Sequence, residues 1–155
     1  MSEPPGSISL HASAVVIGEA AILIRGASGA GKSSLALGLI TAAERAGRFA
    51  RLVGDDRIEL AARNGRLVAW GHARIGGMVE RRGQGILQMD YEPAAIVRLV
   101  VDILGLAEAK RFPEEMDDRI TLCGIDLPLI SLLKDTSAYD SALVVLARLR
   151  QDEAI

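Results

Sequence analysis

At 155 residues the chain has room for one domain of ordinary size; half of its residues are hydrophobic, 25% are charged and 3% are aromatic. This excludes a disordered chain and requires a core of Ala, Val, Ile and Leu. Eighteen Lys and Arg against 20 Asp and Glu leave a formal net charge of -2, which excludes nucleic acid as the main partner on electrostatic grounds.

The one cysteine, Cys123, excludes an intrachain disulfide and a cysteine-built zinc site, and it suits a reducing compartment. The longest apolar runs, such as Ala20 to Ile24 and Ile96 to Val101, fall far short of the roughly 18 residues of a membrane span. Met1 to Ser7 has no apolar signal core behind it. The expected location is the cytoplasm, with no membrane partner.

Pro4, Pro5 and Gly6 make residues 1–7 a loose, flexible lead, and a single domain is expected over 8–150. Ala14 to Ile17 and Ala20 to Ile24 flank Gly18 and Glu19, a spacing that predicts a tight hairpin. From Lys32 to about Ala46, Leu35, Leu39 and Ala42 or Ala43 recur at helical spacing, and Gly47 stands where a C-terminal cap belongs. Arg51 to Val53 is a short apolar segment leading into Gly54, Asp55 and Asp56.

Arg57 to Ala62 and Arg66 to Trp70 surround Asn64 and Gly65, a dipeptide that predicts a two-residue hairpin turn. Gly76, Gly77, Gly83 and Gly85 divide the stretch around Met78 to Arg82 and Ile86 to Met89. Ala95 to Asp102 reads as a buried strand, with a helix as the alternative. Ile120 to Leu122 and Leu127 to Leu132 read as short strands, and Tyr139 to Arg150 as a closing helix.

Gly26, Ala27, Ser28, Gly29, Ala30, Gly31, Lys32 and Ser33 match G-x-x-x-x-G-K-[ST] between a predicted strand and a predicted helix. Glycines let consecutive backbone N–H groups converge on phosphate oxygens, the helix presents its positive end, and Lys32 adds a full charge. The hydroxyl of Ser33 suits magnesium. Asp55 and Asp56 follow an apolar segment, and a parallel neighbouring strand would bring them to the mouth of this loop. Adjacent carboxylates point to opposite sides of a strand, so one can serve a metal while the other takes a proton from a hydroxyl. A solvated turn is the plain alternative.

His11, just before the first hairpin, can contact a phosphate or merely satisfy a local hydrogen bond. His72 reads as surface and Cys123 as packing. Glu80, Arg81, Arg82, Gly83, Gln84 and Gly85 form either a charged hairpin tip or a loop that delivers a magnesium or phosphate contact. The charges from Lys110 to Arg119 read as a solvated connection.

Taken together, these pieces resemble the catalytic domain of bacterial HPr kinase/phosphorylase. The matching segments are His11 before a hairpin, G-A-S-G-A-G-K-S-S from Gly26 to Ser34, L-V-G-D-D from Leu52 to Asp56, and V-E-R-R-G-Q-G-I from Val79 to Ile86. The likeness runs over about residues 8–132. It implies an α/β fold related to the nucleotide domain of phosphoenolpyruvate carboxykinase, a mixed sheet with flanking helices. It also implies ATP and magnesium as cofactors, and HPr, the phosphocarrier of the sugar phosphotransferase system, as partner.

By that likeness Lys32 and the loop glycines hold the β-phosphate region, while Ser33 and Asp56 serve magnesium. Asp55 is the base that deprotonates a serine of the carrier, and the acid in the reverse attack by inorganic phosphate. His11 sits by the transferred phosphoryl group. Glu80 completes the magnesium environment and Arg82 shapes its loop. The sequence departs from longer members of the family in three ways. It starts at the catalytic part, as short forms do; Lys134 to Ala138 replaces a glycine- and arginine-containing loop; and residue 34 is Ser where many members carry an acid. A hexamer is the family habit. The reading is a protein serine kinase, and phosphorylase activity is open. The alternatives are a P-loop kinase of small metabolites and an ATP-binding regulatory module without transfer activity.

Overall fold

The computed structural model describes residues 4–72, 77–81, 83–107 and 118–153. Eleven strands and two helices carry the description. β1 (Ile8–Leu10), β2 (Ala12–Ile17) and β3 (Ala20–Gly26) lead to α1 (Lys32–Arg45). β4 (Ala50–Gly54), β5 (Ile58–Arg63), β6 (Arg66–Gly71), β7 (Met78–Arg81), β8 (Gly85–Gln88) and β9 (Ala94–Leu104) follow. β10 (Arg119–Leu122), β11 (Ile125–Leu133) and α2 (Ala138–Glu153) complete the order.

Nine of these strands form one sheet in the order β1-β5-β6-β9-β3-β2-β4, with β11 also on β9 and β10 beyond it. β9 runs parallel to both β3 and β11, and the remaining pairs of this sheet are antiparallel. The expected mixed sheet with flanking helices is therefore what is observed. β9 can hold three partners because it has 11 residues: β6 pairs with its first part, Ala94 to Ile96, and β11 with its last, Val100 to Leu104.

Strand parity sorts the side chains into two cores. Val15 and Ile17 of β2 join Ile22 and Ile24 of β3, Leu35 and Leu39 of α1, and Val145 and Leu149 of α2 on the helical side. Ala14, Val16 and Leu23 point the other way, toward Ile58, Leu60 and Leu67 of the β5–β6 hairpin. In β9 the parity changes midway, with Val97 in the second core and Leu99 in the first. The register shift against β3, which pairs Ala21 with Val97 but Ile22 with Leu99, bulges out the exposed Arg98 and accounts for this.

Each predicted strand and helix has its counterpart among the described residues, and most of the charged connection from Lys110 to Arg119 lies outside them. Asn64 and Gly65 both adopt positive φ, 52° and 75°, as a two-residue hairpin turn between β5 and β6 demands. The Ala95 to Asp102 segment is a strand and lies within β9. Cys123 overturns its packing assignment: it is exposed, with φ 51°, and forms with Gly124 the two-residue turn between β10 and β11. β4 is not the neighbour of β3, because β2 lies between them. Since β2 is antiparallel to both, β3 and β4 still end at the same edge of the sheet.

β7 and β8 form a separate two-stranded ribbon. It is anchored by Val79, which is 1% exposed and enters the helical-side core. Among the described residues no helix is long and apolar enough to cross a membrane.

Candidate functional site

Three chain segments reach the shared edge of β2, β3 and β4. The first is the junction of β1 and β2, where the chain leaves its pairing with β5 and begins pairing with β3; His11 occupies that step. The second is the Gly26 to Ser33 loop after β3. The third is Asp55 and Asp56, directly after β4.

The loop has the backbone geometry that a phosphate requires. Gly29 and Gly31 have φ of 80° and 105°, values that cost an L-residue about 1–2 kcal/mol or more. Gly31 is the N-cap of α1 and gives it no side-chain cap, and no acid occupies the first turn. The first N–H groups of the helix thus have no intrahelical acceptor, an arrangement that suits an anion. Lys32, 6% exposed, folds back so that Nζ donates to the carbonyls of Gly26 at 2.9 Å and Ala27 at 3.1 Å.

The two aspartates separate as adjacent strand-end residues should. Asp55, 7% exposed, turns inward: Oδ1 accepts hydrogen bonds from Ser13 Oγ at 2.6 Å and Ser33 Oγ at 2.8 Å, and Oδ2 lies 2.9 Å from the Ser33 hydroxyl. Asp56 turns outward with φ 68°, and its Oδ1 meets His11 Nε2. This second pair is open to solvent, with side-chain exposures of 53% for His11 and 73% for Asp56. The divergence places one carboxylate against the loop serine and the other at the histidine.

Close packing sets where Asp55 emerges. A Cβ on Gly71 would lie 2.2 Å from the Val53 carbonyl oxygen, so β4 and β6 cross at a distance only glycine permits. The base of the loop is fixed by Arg25, which donates from Nε and Nη2 to the two oxygens of Asp102 at 2.7 and 2.8 Å, tying β3 to β9 one residue before Gly26.

The loop, Asp55, Asp56 and Glu80 line one cleft of about 540 Å³. Glu80 reaches it from β7, whose inward Val79 directs its neighbour to the opposite side. Of the candidate residues read from the sequence, Ser28, Gly29, Gly31, Lys32, Ser33, Ser34, Asp55, Asp56 and Glu80 are thus brought together. Ala30 is buried beneath the loop, Gly26 and Ala27 receive Lys32, and His11 joins through Asp56. Arg82 lies outside the described residues.

Ser13, Arg25 and Asp102 were not among the candidates. Their signals were present: Ser13 is the one polar residue in the apolar run Ala12 to Ile17, and Arg25 and Asp102 are charges near the ends of buried strands.

The donors facing the cleft are hydroxyl and carboxylate oxygens, a set suited to a hard divalent cation. Among the described residues no three His, Cys, Asp or Glu side chains gather closely enough to hold a metal by themselves. Such a donor set fits magnesium, which is commonly held by one or two protein groups together with phosphate and water.

The family model described as the HPr Serine kinase C-terminal domain matches residues 5–114. A protein named HPr kinase/phosphorylase from Treponema pallidum subsp. pallidum is 34% identical over 137 residues, covering 81% of this chain and 41% of the relative. One of the same name from Limosilactobacillus reuteri is 34% identical over 134 residues, covering 80% of this chain and 40% of the relative. The chain therefore spans about two fifths of the length of these curated relatives. A solved structure described as the Hpr(Ser) kinase/phosphatase from Coxiella burnetii superposes with a TM-score of 0.74 at 23% identity, covering 95% of this chain and 97% of that one, and so has the same fold. By its sequence match and its fold, the chain belongs to the HPr serine kinase C-terminal domain family.

Proposed function

We propose that the chain is an ATP- and magnesium-dependent serine kinase whose acceptor is an HPr-type phosphocarrier protein. The observation that carries this reading is the meeting, at one cleft, of an open phosphate loop with two carboxylates in different settings, one on the loop serine and one on a histidine. The names of the relatives, HPr kinase/phosphorylase, supply the acceptor.

In this reading the aspartates exchange the roles that the family resemblance implies. Ser33, Asp55 and Glu80 would hold magnesium. The Ser33 hydroxyl keeps its proton toward Asp55 and has a lone pair left for a cation. When bound, the metal neutralises phosphate charge and aligns the terminal phosphoryl group. Lys32 and the free N–H groups of α1 stabilise the charge that gathers on the phosphoryl oxygens.

Asp56 is the base. The acceptor serine oxygen forms the new bond to phosphorus, the bond to the departing nucleoside diphosphate oxygen breaks, and the serine proton passes to Asp56. His11, bonded to Asp56, orients that carboxylate toward the open side of the cleft, where a protein surface can approach. Rate comes from positioning and charge neutralisation, with no covalent enzyme intermediate.

The test is incubation of the purified chain with magnesium, γ-labelled ATP and HPr from the same organism, followed by mapping of the labelled residue. Label on an HPr serine supports the kinase, and its release on adding inorganic phosphate supports reversal by phosphorolysis. Tight ATP binding without label would refute the kinase reading and leave a regulatory module or a small-metabolite kinase.

A further inference from the structure

Glu59 of β5 is a buried carboxylate, 3% exposed, that does not line the phosphate cleft. Its neighbours Ile58 and Leu60 enter the second core, so Glu59 points to the opposite face of the sheet. Neither of its side-chain oxygens receives a hydrogen bond from the described residues. Burying a carboxylate in this way costs more than burying an apolar side chain of similar size. What the carboxylate supplies is charge, and its Oε1 lies 3.4 Å from Nε of Arg57.

Arg57 follows Asp56 directly. Its Nε carries one hydrogen, which goes to Ser9 Oγ at 3.1 Å. Ser9 and Glu59 are partners in the β1–β5 ladder, so Arg57 meets both strands at one rung. The last rung pairs Leu10 with Ile58. Beyond it the chain leaves the ladder as His11 from β1 and as Arg57 and Asp56 from β5. The Glu59–Arg57–Ser9 clasp thus sits at the end of the ladder that carries the His11–Asp56 pair.

Asp56 needs such a hold. Its φ of 68° lies in the left-handed region, which L side chains rarely adopt and which persists where the surroundings fix it. On one side its N–H meets Ser13 Oγ at 3.4 Å, a long contact. On the other side stands Arg57 with its clasp. The Asp56 side chain is 73% exposed, so packing does not orient it.

We infer that Glu59 and Arg57 are positioning residues for the Asp56 carboxylate. The buried charge of Glu59 holds Arg57 against β1, and Arg57 fixes the turn that carries Asp56 and its bond to His11. The inference deepens the kinase reading given above and rests on it for the role of Asp56.

The test measures phosphoryl transfer to HPr by two variants. Glu59→Gln removes the buried charge and keeps its shape; Arg57→Met combined with Glu59→Gln removes both charges, so neither variant leaves the buried carboxylate without its cation. In each, kcat should fall at least fivefold while KM for magnesium ATP stays within twofold. Added to Asp56→Asn, the same changes should alter kcat less than twofold, because no base is left to position. In the protein without nucleotide, the nitrogen NMR signal of His11 Nε2 should move in Glu59→Gln toward its position in Asp56→Asn. A kcat within twofold of the wild type in both variants would overturn the inference. So would an equal loss when the changes are added to Asp56→Asn, a rise in KM matching the fall in kcat, or an unmoved His11 signal. Failure of the wild type to phosphorylate HPr would instead overturn the kinase reading, and the His11 signal alone would then decide whether the clasp holds Asp56.

Discussion

Ser13 Oγ, in the buried middle of the β2–β3–β4 edge, donates a 2.6 Å hydrogen bond to Asp55 Oδ1. Ser13 is itself fully buried, and it also lies 3.4 Å from the Asp56 N–H. One hydroxyl thus touches both members of the aspartate pair. Ser13→Ala removes a hydrogen bond from a buried carboxylate and should cost about 1–3 kcal/mol of stability. Chemical denaturation of the variant beside the wild type measures this. Unaltered stability would mean that Ser33 alone satisfies Asp55.

Asp55→Asn and Asp56→Asn should fail differently. Asp55 faces the loop serine, so its amide variant should need at least tenfold more magnesium for ATP binding. Asp56 faces solvent and His11, so its amide variant should bind magnesium ATP normally and lose at least a hundredfold in kcat. Calorimetry and transfer rates on both variants decide the assignment. Intact transfer in Asp56→Asn, with the rate lost in Asp55→Asn at saturating magnesium, would restore the roles implied by the family resemblance.

Lys32 links the base of the loop to its mouth. Its Nζ bridges the Gly26 and Ala27 carbonyls and has a third N–H left for a phosphate. Lys32→Met should weaken ATP binding at least tenfold, about 1.4 kcal/mol. Thermal unfolding without nucleotide should change less than ATP binding does, because Met keeps the aliphatic stem of the buried side chain and only two hydrogen bonds are lost.

Arg25 and Asp102 stand outside the candidate site and tie together the strands that carry it. Each is mostly shielded, with side-chain exposures of 26% and 18%. Arg25→Met leaves the Asp102 carboxylate without its bidentate donor and should destabilise the fold by about 1.5–3 kcal/mol. The double variant Arg25→Met with Asp102→Leu should recover part of that loss. A double variant as unstable as the sum of the two single ones would show that the pair is not coupled.

Much of this site was legible because its chemistry is local in sequence. The glycine loop runs over consecutive residues, Asp55 and Asp56 are adjacent, and Glu80 sits in a short glycine-flanked segment. What could not be read was the partner of each group. Ser13 and Asp55 lie 42 residues apart, and Arg25 and Asp102 lie 77 apart. Such contacts follow from strand order, and periodicity within a strand says nothing about which strand comes next. The insertion of β2 between β3 and β4 escaped the sequence for this reason.

Cys123 failed for a different reason. Its neighbours Leu122 and Ile125 are apolar, which suggests packing, but a two-residue turn between paired strands overrides that local pattern.

The inserted β2 fixes the gauge of the edge that carries the candidate site. Strands in a sheet stand about 4.8 Å apart, so one intervening strand sets the strand carrying the glycine loop and the strand carrying the aspartates about 10 Å from each other. Asp55, directly after β4, meets the loop across that span through hydroxyl groups. Ser33 reaches Asp55 from the first turn of α1, and Ser13 reaches it from β2. The two serines act as struts of different origin meeting on one carboxylate, so a shift of α1 and a slip of β2 both register at Asp55. The aspartate is therefore a gauge of the frame around it.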